Sequence, residues 1–393
     1  MTESLRAAAR SFSGAAVTAR LSPGTRLLGL GEPTHGVEAF LETRNDLFRH
    51  LVEHEGYRSI ALESDCLAGL VADAYVAGGG SLEEALAGGF SHGLGAAAGN
   101  RELLRWMRAA NASRAPEDRL RFYGIDGPLE MTGAAGPGGA LTALHDYLSP
   151  HLDLPCTRAG LVELLGPEER WADPAALMDP ARSVGRTAAA ARLRVLADDL
   201  GSLLTTQAPR LAAATSAEDF WRAGLHARTA AGLLRYHAAL AGTSDARLAA
   251  VTGLRDAMMA DNLDAVVRRE AGRGPTLAFA HNAHLQRGES SMRFGGAPLR
   301  WWSAGAVLAT RLGDRYAFAA SAFGSRGADV PPADTLEGLF SRLPYDRSVI
   351  DPAALAEALD HPPTPRVPAD HTYGSLDPAA LHLLDAVVFL KEI

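Results

Sequence analysis

Short apolar runs alternate with longer stretches of helical periodicity over residues 25–130, and the same alternation returns near residue 276. Leu27-Leu28-Gly29-Leu30, Ser59-Ile60-Ala61-Leu62, Phe122-Tyr123-Gly124-Ile125 and Leu277-Ala278-Phe279-Ala280 are too short and too uniformly apolar to be surface helices. They predict buried parallel strands. Between the first two, Val37, Phe40, Leu41, Leu47, Phe48, Leu51 and Val52 fall on one helical stripe. Gly56 supplies the stop signal. From about 140 to 272 the pattern is helical almost throughout, with long segments near 217–241 and 244–271. The expected fold is α/β, a mainly parallel central sheet flanked by helices with a large all-helical insertion. The expected organisation is a first core part at 20–135, a helical cap at 136–272 and a second core part at 273–393. A β-hairpin is expected over 304–312 and 315–321, turning at Gly313-Asp314. The proline-rich 361–374 reads as surface loop, and 385–390 as a last strand.

Each of the four strands ends at a residue that moves protons. The first reaches Glu32 and then His35, the second Glu63, the third Asp126, and the fourth His281 and His284. Ligands of open α/β sheets sit outside the carboxyl ends of the strands, so neighbouring strands would converge these groups on one crevice. A helix N-terminus after the Glu32-Pro33-Thr34-His35-Gly36 turn disfavours imidazolium and would keep His35 neutral and basic. Arg44 lies on the apolar stripe of the first helix. A guanidinium there needs partners, and Glu32 and Glu63 are the expected ones. Asp126 either orients a histidine or orders its own turn. Arg255 and Asn262, seven apart on one helix, either brace it or complete the wall of a substrate site. His281 and His284 offer an i, i+3 pair but no HExxH signature, so no metal is expected. Gly89-Phe90-Ser91-His92-Gly93 fits the G-x-S-x-G spacing. The helical composition before Ser91 opposes a nucleophile elbow, so a loop whose Ser91 and His92 touch substrate is the expectation.

Composition narrows the function classes. The 393 residues carry a net charge of −8 and 47% hydrophobic residues, with mean hydropathy near zero. No basic patch with interleaved aromatics exists, so nucleic acid is not an expected partner. Cys66 and Cys156 have no CxxC partners. No run reads as a secretory signal or a membrane span, so a cytoplasmic location and no membrane partner are expected.

Taken in order, Gly31-Glu32-Pro33-Thr34-His35-Gly36, Arg44, Ala61-Leu62-Glu63, Gly124-Ile125-Asp126, Arg255 to Asn262 and His281-Asn282-Ala283-His284 resemble the erythromycin esterase family. The resemblance spans roughly 25–320. Its best-known members hydrolyse the macrolactone ester of macrolide antibiotics without a metal. The resemblance implies a hydrolase with no cofactor, with His35 as general base on water. Glu32, Arg44, Glu63 and His284 (or His281) would orient water, hold the base and stabilise the oxyanion. His281, Asp126, His92, Ser91, Arg255 and Asn262 would contact a small-molecule substrate, an ester or lactone of a large apolar compound. Two other functions use the same residues: a biosynthetic acyl transfer or cyclisation that excludes water, and non-catalytic binding of a small molecule.

Overall fold

A computed structural model of the chain describes residues 2–130, 133–294, 297–359, 361–367 and 372–393. Eight strands form the central sheet: β1 (Ala9–Ser11), β2 (Leu27–Glu32), β3 (Ser59–Asp65), β4 (Arg121–Asp126), β5 (Thr276–His281), β6 (Tyr316–Ser325), β7 (Arg347–Ile350) and β8 (Ala386–Glu392). Their order is β1-β7-β8-β6-β2-β5-β3-β4. The run from β8 through β6, β2 and β5 to β3 is parallel. The β1 edge is antiparallel. Every residue of β2 is buried, which is why it reads as an unbroken apolar run rather than an alternating one.

Register places the site. Leu27 pairs with Thr276, and the ladder continues to Glu32 beside His281. On the other side of β5, Ser59 also pairs with Thr276, so β3 delivers Glu63 to the same end. β2 and β3, consecutive in sequence, are thus held apart by β5. That is a topological switch point, where open α/β sheets place ligands. The helix Glu38–His54 buries Phe40, Leu41, Leu47, Phe48, Leu51 and Val52 of the stripe read from the sequence, while Val37 stands before it as the N-cap. Gly56 follows it at φ +71°.

Two compact units are present, one of residues 1–63, 70–123 and 263–393, the other of 64–69 and 124–262. The second is built from helices including Gly138–Leu148, Ala188–Thr206 and Ala217–Leu240 around Leu141, Leu144, Leu193, Leu200 and Leu234. It also carries a two-strand ribbon, Leu129–Glu130 with Gly133–Ala134, just before the segment expected to be helical. Among the described residues no helix is long and apolar enough to cross a membrane.

Two expectations fail. Residues Ala304–Leu312 form a helix, not a hairpin strand. Ser303 caps it, accepting from the Ala306 N–H, and Gly313 ends it at φ +56°. The apolar run that follows joins the sheet as β6, between β2 and β8. A hairpin lies earlier, Glu289–Phe294 with Ala297–Trp302. The proline-rich stretch is not all surface: Arg366 and Tyr373 are buried. Their guanidinium and ring stack, 4.9 Å apart, beside Phe323.

Candidate active site

The turn after β2 is tight because Gly31 has no side chain. A Cβ there would stand 2.1 Å from Asn282 Oδ1 and 3.0 Å from the Asn282 backbone. Asn282 in turn donates to the Ser321 carbonyl and accepts from its N–H, tying β5 across β2 to β6. Asn282 sits inside the HNAH motif, but no spacing or periodicity in the sequence marks it as this tie.

Glu32 and Glu63, both buried, face His35 from two sides. His35 Nδ1 is 2.7 Å from Glu32 Oε1. Its Nε2 is 3.8 Å from Glu63 Oε1, which also lies 3.2 Å from His284 Nε2. The other Glu63 oxygen accepts the His281 backbone N–H at 2.7 Å. The second Glu32 oxygen is buried with no hydrogen-bond partner among the described residues. The imidazole of His35 is about half exposed and the other groups are covered, so the cluster opens to solvent through His35.

Electrostatics correct the expectation of a depressed His35. Burial pulls its pKa down, but the charge of Glu63 and the hydrogen bond and charge of Glu32 outweigh it, and the net shift is upward. The helix whose dipole was expected to act begins only at Glu38, after the turn. Burial raises Glu32, against the lowering pull of its bond to His35. His281 behaves oppositely. Burial and the neighbouring His35 lower it to about 4, so it is neutral across the physiological range. Its Nδ1 accepts from the Ala283 N–H at 3.1 Å, which assigns the hydrogen to Nε2, facing the Pro33 carbonyl at 3.0 Å. Both nitrogens of His281 are thereby engaged by backbone, and His284 is the imidazole that meets Glu63.

Arg44 is fully buried, as its place on the stripe required, but its hydrogen bonds run to amides instead of carboxylates. It donates to Asn45 Oδ1, Asn100 Oδ1 and the Gly99 carbonyl, and lies 5.0 Å over the Phe279 ring. Glu32 acts on it through charge alone. Burial lowers the guanidinium to about 10, against the raising pull of Glu32, Glu102 and Glu38, and it stays cationic at neutral pH. Arg44→Ala strands two buried amide oxygens, each worth about 1–3 kcal/mol, and opens a cavity. The expected loss is about 3–5 kcal/mol of unfolding free energy, read from the urea midpoint at unchanged slope.

In the second unit, Arg255 grips the fully buried Asp126 through Nε at 3.0 Å and Nη2 at 2.7 Å, and Asn262 donates to the Ile125 carbonyl. That is the bracing arrangement of the two weighed for the helix. Ser91 and His92 follow the capped helix Leu82–Gly88 with no strand before them, so the elbow geometry is absent. His92 sits at φ +56°. Among the described residues no group of three or more His, Cys, Asp or Glu has the geometry of a metal site.

The sequence matches the family described as Erythromycin esterase over residues 52–393. The chain belongs to the erythromycin esterase family. Membership points to a hydrolase. The matched span holds Glu63, His281 and His284; Glu32, His35 and Arg44 precede it. No curated protein matches the sequence. Three solved structures share the fold of this family member. A Bacillus cereus protein aligns with a TM-score of 0.72 at 15% identity, covering 100% of this chain and 96% of that one. A succinoglycan biosynthesis protein aligns at 0.70 and 16%, with coverage of 100% and 96%. A mutant of the erythromycin esterase EreC in its open conformation aligns at 0.67 and 20%, with coverage of 98% and 97%.

Proposed function

We propose that this member of the family hydrolyses an ester or lactone in a large, fairly apolar small molecule, with His35 activating water. The observation that carries the reading is the 2.7 Å contact between His35 Nδ1 and Glu32. A carboxylate that holds the Nδ1 hydrogen leaves Nε2 as the basic nitrogen and stabilises the imidazolium that forms. Water bound between Nε2 and Glu63 Oε1, which are 3.8 Å apart, attacks the carbonyl carbon and passes its proton to Nε2. The tetrahedral oxyanion is assigned to His284. When the intermediate collapses, the leaving alkoxide takes the proton back from His35 and the acid is released. The unpartnered Glu32 oxygen is free to accept from water or a substrate hydroxyl.

A panel of lactones and aryl esters incubated in ¹⁸O-labelled water tests the reading. Label in the product acid supports hydrolysis. A transferred or cyclised product without label would replace it with a biosynthetic reaction, and binding without turnover would leave a ligand-holding protein. The pH profile has a fixed sign. His35 is protonated and inactive below its pKa, which its carboxylates raise above the ordinary 6.5. The rate should therefore climb on the alkaline side of that value and then level off; a flat profile from pH 5 to 8 contradicts His35 as base.

A further inference from the structure

The segment 372–376, remote in sequence from every motif above, lies directly on the turn that carries His35. Two hydrogen bonds join them and a third ties the segment to His281, all within the first compact unit. The Gly374 N–H donates to the Pro33 carbonyl at 2.7 Å. The Thr372 and Thr34 hydroxyls are 3.0 Å apart. The Thr372 carbonyl lies 3.3 Å from His281 Nε2. That same nitrogen faces the Pro33 carbonyl, so the carbonyl is pinned by two donors from different parts of the chain. Gly374 packs so closely that a Cβ would stand 3.0 Å from His281 Cε1 and 3.5 Å from Nε2.

The segment is itself anchored below. Tyr373 points inward, its hydroxyl donating to the buried Glu337 at 2.9 Å, and its ring meets Phe323 at 4.6 Å. The Leu376 N–H also reaches Glu337. Arg366 stacks on the Tyr373 ring and donates to the Phe323 and Gly324 carbonyls at the end of β6. A strap running from a buried acid to the catalytic turn results.

We propose that Thr372 and Gly374 are positioning residues for the active site: they fix the Pro33-Thr34 backbone, and with it the direction of the His35 ring, while locking His281 in one tautomer. The proposal deepens the reading of His35 as base. Pro33 and Thr34 are the two residues immediately before His35, and each is held by the strap. His281 is clamped at both nitrogens, so it cannot yield to a bulkier neighbour at 374 without loosening its bond to Pro33. Positioning of this kind matters because a misplacement of about 1 Å in a reacting group costs on the order of 10²-fold in rate.

The test is read without substrate, so a chain that hydrolyses none of the compounds tried still decides it. Long-range ¹H–¹⁵N spectra of the full chain, labelled at histidine, follow each imidazole from pH 5 to 9. His281→Gln and His35→Gln variants assign the signals. In the unmodified protein His281 should hold the Nε2–H tautomer across the range. His35, faced by Glu32, Glu63, His281 and His284, should titrate above the ordinary imidazole value. Thr372→Val and Gly374→Ala should convert the His281 signals to a mixture of tautomers and move the His35 midpoint down toward 6.5. Thr372→Ser should restore both. Thr372 is exposed, so its variants keep the fold, which cooperative thermal unfolding confirms. Unaltered His281 tautomer and His35 midpoint in both disruptive variants would overturn the proposal, as would a Thr372→Ser variant that behaves like Thr372→Val.

Discussion

Replacing His35 with alanine is expected to lower kcat by about 10²–10⁴-fold on any ester or lactone this protein turns over. In activation free energy that is about 3–5 kcal/mol. KM should change little, because a proton acceptor works in the transition state more than in the bound ground state. The structure makes the variant a clean one. The His35 imidazole is about half exposed, so its removal opens no sealed cavity. Its loss does leave Glu32 without its hydrogen-bond donor in a buried place. Burial then raises the Glu32 carboxyl further, and the carboxyl takes up a proton instead of unfolding the turn. Steady-state kinetics with a thermal melt on the same sample separate the outcomes. A full-rate His35→Ala enzyme would remove the base assigned here.

The second large effect is at Glu63. This carboxylate is the hub of the site, meeting the His281 backbone N–H, His284 Nε2 and, at 3.8 Å, His35 Nε2. Glu63→Gln keeps the shape and one acceptor oxygen but removes the charge. Charge-assisted hydrogen bonds are worth about 1.5–3 kcal/mol, so kcat should fall roughly 10–10²-fold. The pH profile should move in a direction that a folding defect does not mimic. Glu63 is the largest of the influences that raise His35. Without its charge the His35 pKa drops, the unprotonated base persists to lower pH, and the rising limb of the profile shifts to the acid side. A variant that loses rate with its midpoint unmoved would mean that Glu63 supports the fold without acting on the base.

Much of this site was legible in the sequence because strand ends are legible. An apolar run that stops at a carboxylate or imidazole can be seen without knowing which strands are neighbours. Glu32, His35, Glu63, His281 and His284 were all found that way, and the helix 38–54 followed from its stripe. Partners are another matter. Arg44 was correctly placed in the interior, yet its need for hydrogen bonds did not say whose. Asn45 and Asn100 satisfy it, and nothing in their spacing announces that. The upward shift of His35 is hidden from the sequence because a helix dipole is inferred from sequence neighbours, whereas the carboxylates that together outweigh burial come from two strands separated by β5. The helix Ala304–Leu312 reads as a strand from the sequence because a short Ala- and Val-containing run fits both periods. Ser303 at its start was the available cue. The strap at 372–376 was hidden by its own composition, since proline and glycine mark loops whether they are exposed or clamped.

The order of strands also constrains how the molecule can be made. β2 leaves a ribosome early, but both of its sheet partners, β5 and β6, are encoded after residue 270. Until they are synthesised, a strand apolar up to its final Glu32, with two unpaired edges, waits in the nascent chain, alongside the helix stripe that must cover it. Such edges are templates for aggregation, and closure over so long a loop is slow. Expression at high translation rates without chaperone help should therefore yield inclusion bodies more readily than the stability of the finished protein would suggest, and chains truncated before β5 should never become soluble enzyme.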